Sequence, residues 1–398
     1  MNGRIGAAAR AALRPYGALP DEKHVDVLDG VRALMVLLVG AFHIWQQSWL
    51  TPRFTVMGKL VSLDFLLRSG YIWVDGLVLL SGFLLYLPIA RLGAEAPFPS
   101  TRSFFRRRFW RIYPSYALNV LLFFLLALPR YGGDTVFMAE DLAAHLTFTH
   151  TLFYKTYYVS PINGALWTVG VEVQFYLLFP LLGRCYRKHP LATALGMTAV
   201  AFAWRGYAST LRDCALWFNQ LPAFLDVYAL GFVGAEAFVA LRRRLGQAGR
   251  REKVFFSFTA LASLLYALSL ARLQAARNGQ EAIRIGQMDT RFPFCLALLA
   301  LMVSAAFALP FIRFLLGNRV MRFLSAVSFQ FYMIHQVIAV RIREWGLIPS
   351  ASDTPNMMGE RAWQVPYTLV CFLIPLALAA LLTYGFERPL TRRFAGRK

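Results

Sequence analysis

Long apolar stretches, separated by short polar and basic segments, dominate the pattern of this chain. A helix that spans a bilayer needs about 20 consecutive, mostly apolar residues. Ten stretches meet this description: 28–50, 70–90, 113–130, 165–184, 190–206, 221–241, 254–272, 292–312, 323–342 and 365–387. The third and fifth have the shortest apolar runs. The pattern predicts an all-α fold, a polytopic integral-membrane bundle of about ten transmembrane helices.

The distribution of basic residues predicts the orientation of this bundle. With the N-terminus inside, arginine clusters at 106–108, 184–188 and 242–244 all fall in inside segments. The positive-inside rule therefore places both termini in the cytoplasm. The expected organisation is a basic cytoplasmic tail (1–27), a single transmembrane domain (28–391) and a short cytoplasmic tail (392–398).

Composition supports a membrane protein over a soluble one. Hydrophobic residues make up 58% of the chain and charged residues 16%, whereas soluble proteins carry about a quarter charged residues. The net charge of +21 would fit either nucleic acid or a membrane surface, and the apolar excess favours the membrane. The four cysteines are far apart and form no Cys/His cluster, so neither a disulfide framework nor a metal site is expected.

Ionisable residues inside a membrane are costly and therefore mark candidate functional sites. In the first span, Arg32 and His43 are eleven residues apart, which is about three turns and roughly 16 Å along one helix face. Asp29 shares this face. The alternative is that Arg32 reaches lipid phosphate and His43 binds a neighbouring carbonyl.

Other spans carry acidic candidates. Asp75, in the second span, is expected at the depth of His43 and could orient it, although capping of the helix is the competing interpretation. In the fourth span Thr168, Glu172 and Tyr176 form one polar stripe at intervals of four residues. For Glu172 the alternative to a catalytic role is an ion pair with an arginine of another span.

A second imidazole and an arginine cluster complete the set. Tyr332 and His335 share a face of the ninth span, although either histidine alone could be a hydrogen-bonded core group. Four arginines precede the third span and could bind phosphates or lipid headgroups; they are Arg106, Arg107, Arg108 and Arg111.

Six segments resemble, in order, the signatures of the membrane acyltransferase-3 family. They are LDGVRALMVLLVGAFH, VDGLVLLSGFLL, FFRRRFWRIYPSY, LWTVGVEVQFYLLFP, SAVSFQFYMIHQ and FERPL, and they extend from residue 28 to residue 391. Two departures affect the fourth segment, where Thr168 replaces the usual Ser and Val173 replaces a common second Glu. These departures weaken any mechanism that needs paired acids there.

The resemblance implies transfer of an acyl group, usually acetyl, from cytoplasmic acyl-CoA to a hydroxyl. The acceptor would be a sugar of a cell-surface glycan, a lipid-linked saccharide or a glycosylated natural product. Arg32 and the four arginines would bind the CoA phosphates, and a tunnel would lead to His43, the general base or transient acyl acceptor. Asp75, Glu172 and His335 are further catalytic candidates, and Asp29, Trp167 and Tyr332 are substrate-binding candidates.

The resemblance also sets expectations about partners and location. A multi-pass protein of a bacterial inner or plasma membrane is expected, with acyl-CoA, a carbohydrate acceptor and lipids as partners, and with neither nucleic acid nor a metal. Whether the protein forms a homo-oligomer or binds a partner protein stays open.

The main alternative function is a transporter or flippase of a lipid-linked sugar, although no internal repeat is found. A transmembrane acyl donor that serves a partner transferase is a third.

Overall fold

The computed structural model describes residues 24–93, 96–211, 214–245 and 249–394, and these ranges are almost entirely helical. Most of the predicted N-terminal tail and residues 395–398 of the predicted C-terminal tail lie outside the described residues. The all-α transmembrane fold is confirmed. A small antiparallel hairpin, β1 (Arg53–Val56) and β2 (Lys59–Ser62), pairs Arg53 with Ser62.

The helices of the described ranges are numbered in chain order. They are α1 (Asp26–Ser48), α2 (Asp64–Arg68), α3 (Trp73–Ala90), α4 (Thr101–Ala127), α5 (Thr135–Leu146), α6 (Trp167–Lys188), α7 (Pro190–Ser209), α8 (Cys214–Phe218), α9 (Leu225–Leu245), α10 (Arg250–Ala275), α11 (Gln280–Phe307), α12 (Pro310–Gly317), α13 (Arg319–Glu344), α14 (Arg361–Leu382) and α15 (Arg388–Phe394). Short 3-10 and π turns join several of them.

Nine helices of the described ranges are long and apolar enough to cross a membrane: α1, α3, α4, α6, α9, α10, α11, α13 and α14. The fifth predicted span is a helix, α7, but it is not among the nine. Its 20 residues include Arg205 and several small polar residues that interrupt the apolar run. Placement of both termini on the cytoplasmic side stays a prediction.

The arginine-rich segment before the third span belongs to a helix and is not a loop. α4 begins at Thr101, where the Ser100 hydroxyl accepts a hydrogen bond from the Ser103 amide at 3.5 Å. This N-cap satisfies one of the free amides of the first turn. The helix therefore starts twelve residues before the predicted boundary at 113, and it holds the arginines of 106–111 on a rigid surface.

Small residues allow the closest helix contacts. A Cβ atom at Gly231 of α9 would lie 2.6 Å from the Phe83 backbone nitrogen of α3. A Cβ atom at Gly40 of α1 would lie 2.7 Å from the ring of Phe331 on α13. Small residues at such positions let helix backbones approach closely in a membrane. The second contact is important for the site, because His43 lies one turn beyond Gly40.

Two buried ion pairs lie among α3, α7, α9 and α11. Asp75 accepts from Arg291 Nε at 3.2 Å, and Asp226 accepts from Arg205 Nη2 at 2.7 Å. Both guanidinium groups also donate to the Ala223 carbonyl, at 3.1 Å and 2.8 Å. None of the four charged residues is more than 5% exposed. The carbonyl therefore joins the two pairs into one network.

The prediction that Asp75 orients His43 is wrong. Asp75 faces α11, where Arg291 lies between the rings of Phe218 and Phe224 at 3.9 Å from each centroid. A buried carboxylate needs a compensating charge, and in this protein Arg291 supplies it. Asp75 therefore has a structural role in the bundle.

We expect that breaking one pair of this network destabilises the protein strongly. Arg205→Met leaves the Asp226 carboxylate buried and unpaired, which costs about 3–5 kcal/mol. The double variant Arg205→Met/Asp226→Leu should cost less than the single one, because no charge is then left alone. Denaturant unfolding in detergent micelles measures both, with exposed Arg313→Met as control. Equal stability of Arg205→Met and wild type would contradict the structural role.

Candidate functional site

A cavity of about 660 Å³ enters the bundle between α1, α3, α4, α6 and α13. Most of its wall is apolar, built from aliphatic side chains of α1 and α3. Polar side chains occur at three levels, which are the opening, the middle and the far end.

Three arginines of α4 line the opening of the cavity, and we call Arg107, Arg108 and Arg111 the arginine mouth. The Arg108 guanidinium lies over the Tyr176 ring, 5.3 Å from its centroid. Arg106, the fourth arginine predicted to bind phosphate, does not line the cavity, because it lies about 150° around α4 from the centre of the face that these three arginines form.

Arg32 and Glu172 occupy the middle level. Arg32 lines the cavity, with Glu172 and Arg111 among its electrostatic neighbours. Glu172 Oε1 accepts hydrogen bonds from the hydroxyls of Ser81, at 2.7 Å, and Tyr176. Within the described ranges no arginine lies within 4.0 Å of the Glu172 carboxylate, so the alternative of a structural ion pair is not found. The polar stripe predicted on the fourth span therefore faces the cavity.

Asp29 lies beside the opening, as its position on the stripe of α1 predicted. Its carboxylate accepts from Ser325 Oγ of α13 at 2.8 Å and contacts His24 Nε2 at 2.5 Å. His24, Asp26 and Asp29 form the one metal-capable group found among the described residues.

Thr168 and Tyr332 line the part of the cavity nearest the histidines, where Thr168 Oγ1 donates a hydrogen bond to the Tyr332 hydroxyl at 2.9 Å, and we call this pair the inner end. Tyr332 thus lines the cavity as predicted. Trp167 does not, since its ring packs against Phe224 at 5.9 Å. Neither His43 nor His335 lines the cavity. The predicted open tunnel from Arg32 to His43 is therefore closed in this structure.

The two histidines meet just beyond the inner end. His43 Nδ1 lies 2.8 Å from His335 Nε2, and the two rings stack with centroids 5.0 Å apart. The Tyr332 ring lies 5.7 Å from that of His335. His335 is fully buried, whereas His43 is half-buried. The structure therefore pairs two histidines that the sequence could only place at similar depth.

Hydrogen bonding fixes the tautomers of the neutral pair. His335 Nδ1 lies 3.1 Å from the Phe331 carbonyl oxygen, which can only accept, so Nδ1 carries the proton. His335 Nε2 then accepts, and His43 Nδ1 must donate to it. The lone pair of His43 Nε2 is left free, and this nitrogen has no hydrogen-bond partner among the described residues. His43 is thereby prepared to take a proton from another molecule.

Sequence reasoning missed a buried cluster on α5 and the loop after it. Asp141 accepts from the Tyr131 hydroxyl and Ser160 Oγ, both at 2.7 Å, and pairs with His145 Nδ1 at 3.1 Å. The His145 ring stacks on His150 at 4.2 Å. The pKa of His150 lies well below its usual value, mainly because the ring is buried and secondly because His145 is close to it. The spacing of four residues between Asp141 and His145 places them on one helix face, and this was the sequence feature that could have indicated the cluster.

Comparison with known proteins gives one match that covers most of the chain. The model of the acyltransferase-3 family, described as an acyltransferase domain, matches residues 25–384. This range includes every candidate residue discussed above. No solved structure matches the chain.

Several curated proteins are similar over part of their length. Acyltransferase MdmB of Streptomyces mycarofaciens is 32% identical over 168 residues, which is 41% of this chain and 40% of that protein. A protein of the Acidianus two-tailed virus, named as a candidate acetyltransferase, is 26% identical over 51% of this chain and 55% of its own length. One from Staphylococcus aureus, named as a candidate O-acetyltransferase, is 22% identical over 40% of this chain and 25% of its own.

The tautomers of the histidine pair can be measured directly. We expect nitrogen NMR of protein labelled at its six histidines to show His335 and His43 both protonated at Nδ1, because the Phe331 carbonyl orders the whole chain of hydrogen bonds. His335→Phe should shift the His43 Nδ1 signal and leave that of exposed His189 unchanged. A His335 protonated at Nε2 would contradict this assignment.

Proposed function

Because the chain belongs to the acyltransferase-3 family, we propose that it is an O-acyltransferase that moves an acyl group from acyl-CoA to a sugar hydroxyl. Acetyl is the proposed acyl group. The single observation that carries the proposal is the position of the histidine pair, directly beyond the inner end of a cavity whose opening is lined by arginines. A donor would enter at one end and its acyl group would meet a base at the other.

The arginine mouth is the proposed site of the donor phosphates. Guanidinium groups bind phosphate oxygens through paired hydrogen bonds. Within the described ranges, no carboxylate lies within 4.0 Å of Arg32, Arg108 or Arg111, so their charge is available to an anion. The cavity wall between the mouth and the inner end is mostly aliphatic and suits the pantetheine arm, with Glu172 as an acceptor for its amide N–H groups.

The inner end must open for the acyl group to reach the histidines. In this structure the Tyr332 hydroxyl is bonded to Thr168, and the ring is buried in the core. Rotation of the tyrosine would break this hydrogen bond and move the side chains packed around the ring. We therefore assign Tyr332 to the acyl path, with its hydroxyl free to bind the thioester carbonyl once it turns.

The chemical step balances with the residues at hand. His43 Nε2 takes the proton of the acceptor hydroxyl as its oxygen attacks the thioester carbonyl carbon. The carbon–sulfur bond then breaks, and the proton passes to the sulfur of CoA as it leaves. Thioesters are activated, so positioning and a base supply most of what the reaction needs.

His335 is a positioning residue in this proposal. It accepts the Nδ1 proton of His43, holds the ring through the stack at 5.0 Å, and keeps Nε2 free for the acceptor. Its own tautomer is held by the Phe331 carbonyl. A carbonyl replaces the carboxylate that would orient a catalytic histidine in other sites, so the pair stays neutral inside the membrane.

The acceptor and the location complete the proposal. The chain is a multi-pass membrane protein, and we propose a bacterial inner or plasma membrane with a glycan, lipid-linked saccharide or glycosylated product as acceptor. Mass spectrometry of surface glycans with and without the gene tests this, since one acetyl-sized difference is expected. Movement of a lipid-linked sugar without acyl transfer would contradict it.

Loss of the base should abolish most of the turnover. We expect His43→Ala to reduce kcat about 10²- to 10⁴-fold with acetyl-CoA and a glycan acceptor, as for loss of a general base. His335→Phe should reduce kcat less, and the double variant should resemble His43→Ala alone, because the two residues act as one unit. Exposed His189→Ala is the control. Undiminished turnover in His43→Ala would end the assignment.

The arginine mouth should control donor affinity. Arg108→Gln is expected to raise the KM for acetyl-CoA about 10- to 150-fold, since a charge-assisted hydrogen bond contributes about 1.5–3 kcal/mol. Arg106→Gln is the matched control, because it removes the same charge from the same helix outside the cavity. Arg32→Ala should act in the same direction as Arg108→Gln. Equal KM values for the Arg106 and Arg108 variants would show that only the overall charge is important.

A further inference from the structure

The C-terminal helix reaches back to the opening of the cavity. A π turn at Thr383–Glu387 separates α14 from α15, and Thr391 of α15 lines the cavity. The Phe394 ring stacks on Trp110 of α4, with centroids 4.4 Å apart and planes 20° apart. Thr391 Oγ1 also approaches the Trp110 carbonyl at 3.4 Å. α15 is therefore packed on the helix that carries the arginine mouth.

Both ends of this segment are attached to α4. At its beginning, Glu387 Oε2 accepts from Gln330 Nε2 at 2.9 Å, and Gln330 Oε1 accepts from Asn119 Nδ2 of α4 at 3.1 Å. Asn119 lies nine residues beyond Trp110, or roughly 13 Å along the helix. α15 thus lies along the middle turns of α4 and is held at two separate levels.

The contact between Phe394 and Trp110 lies beside the arginine mouth. Trp110 immediately precedes Arg111 and follows Arg107 by three residues, so the stack with Phe394 lies on the flank of the cavity-lining face. α15 itself contains three arginines and no acidic residue in RPLTRRF. Its charge is therefore suited to the same anion that the arginine mouth would bind.

We infer that α15 forms one wall of the donor site, and that the stack of Phe394 on Trp110 is a specificity-determining contact for the phosphorylated nucleotide part of CoA. The inference rests on the proposed function. The nucleotide lies at the cavity opening, against the edge that α4 and α15 form together, while the pantetheine arm continues along the cavity. Phe394 and Trp110 are positioning residues, because their stack holds Thr391 beside the arginine mouth in the cavity wall.

The test compares CoA with pantetheine, which lacks the nucleotide and its phosphates. Phe394→Ala should weaken CoA binding to the full-length protein in detergent about 2- to 10-fold, the range expected for loss of an aromatic pair. Pantetheine binding should be unchanged, and Phe394→Trp should restore CoA binding. Phe323→Ala is the control, because Phe323 stacks on Tyr384 of the same C-terminal segment at 6.4 Å but neither ring belongs to the stack on Trp110.

The outcomes separate this inference from the proposed function. Failure of the wild-type protein to bind CoA overturns both. CoA binding by wild type with equal affinity in Phe394→Ala overturns the inference alone, as does equal weakening of CoA and pantetheine. If Phe394→Ala does not fold, Thr391→Val keeps the stack and removes the hydroxyl from the wall. That variant should weaken CoA and not pantetheine, and unchanged CoA affinity in it would likewise overturn the inference.

Discussion

The close contact of α1 with α13 is the constraint on which the site depends. Gly40 leaves space for the ring of Phe331, which packs directly on the α1 backbone. At one end of the contact His43 reaches His335, and at the other Asp29 accepts from Ser325. One helix pair therefore fixes both the proposed base and one side of the cavity opening. A larger residue at position 40 would separate the two histidines.

Buried charges in this bundle fall into two physical classes. Asp75, Arg205, Asp226 and Arg291 neutralise one another away from the cavity, as a low-dielectric interior requires. Three arginines that line the cavity, Arg32, Arg108 and Arg111, have no carboxylate within 4.0 Å in the part of the chain that the structure describes. Their positive charge is left for a ligand, and the aqueous opening reduces the cost of keeping it.

The closed inner end keeps the two halves of the proposed reaction apart. The Thr168–Tyr332 hydrogen bond separates the arginine-lined cavity from the histidine pair. A closed state of this kind would protect a thioester from a base and from water until the donor is in place. The same arrangement explains why Arg32 and His43 share a helix face but not a cavity.

The sequence by itself determined the helical membrane fold, the family resemblance and the residue types of the site. Apolar runs and a helical period of 3.6 residues are local properties, so Arg32, Glu172, Tyr332 and the arginines of α4 could be placed on faces. Pairing across helices is not local. His43 with His335, Asp75 with Arg291 and Phe394 with Trp110 are separated by hundreds of residues along the chain. Only the packing of one helix against another decided which charged groups neutralise each other. It thereby also decided which charges remain in the cavity wall, available to a ligand.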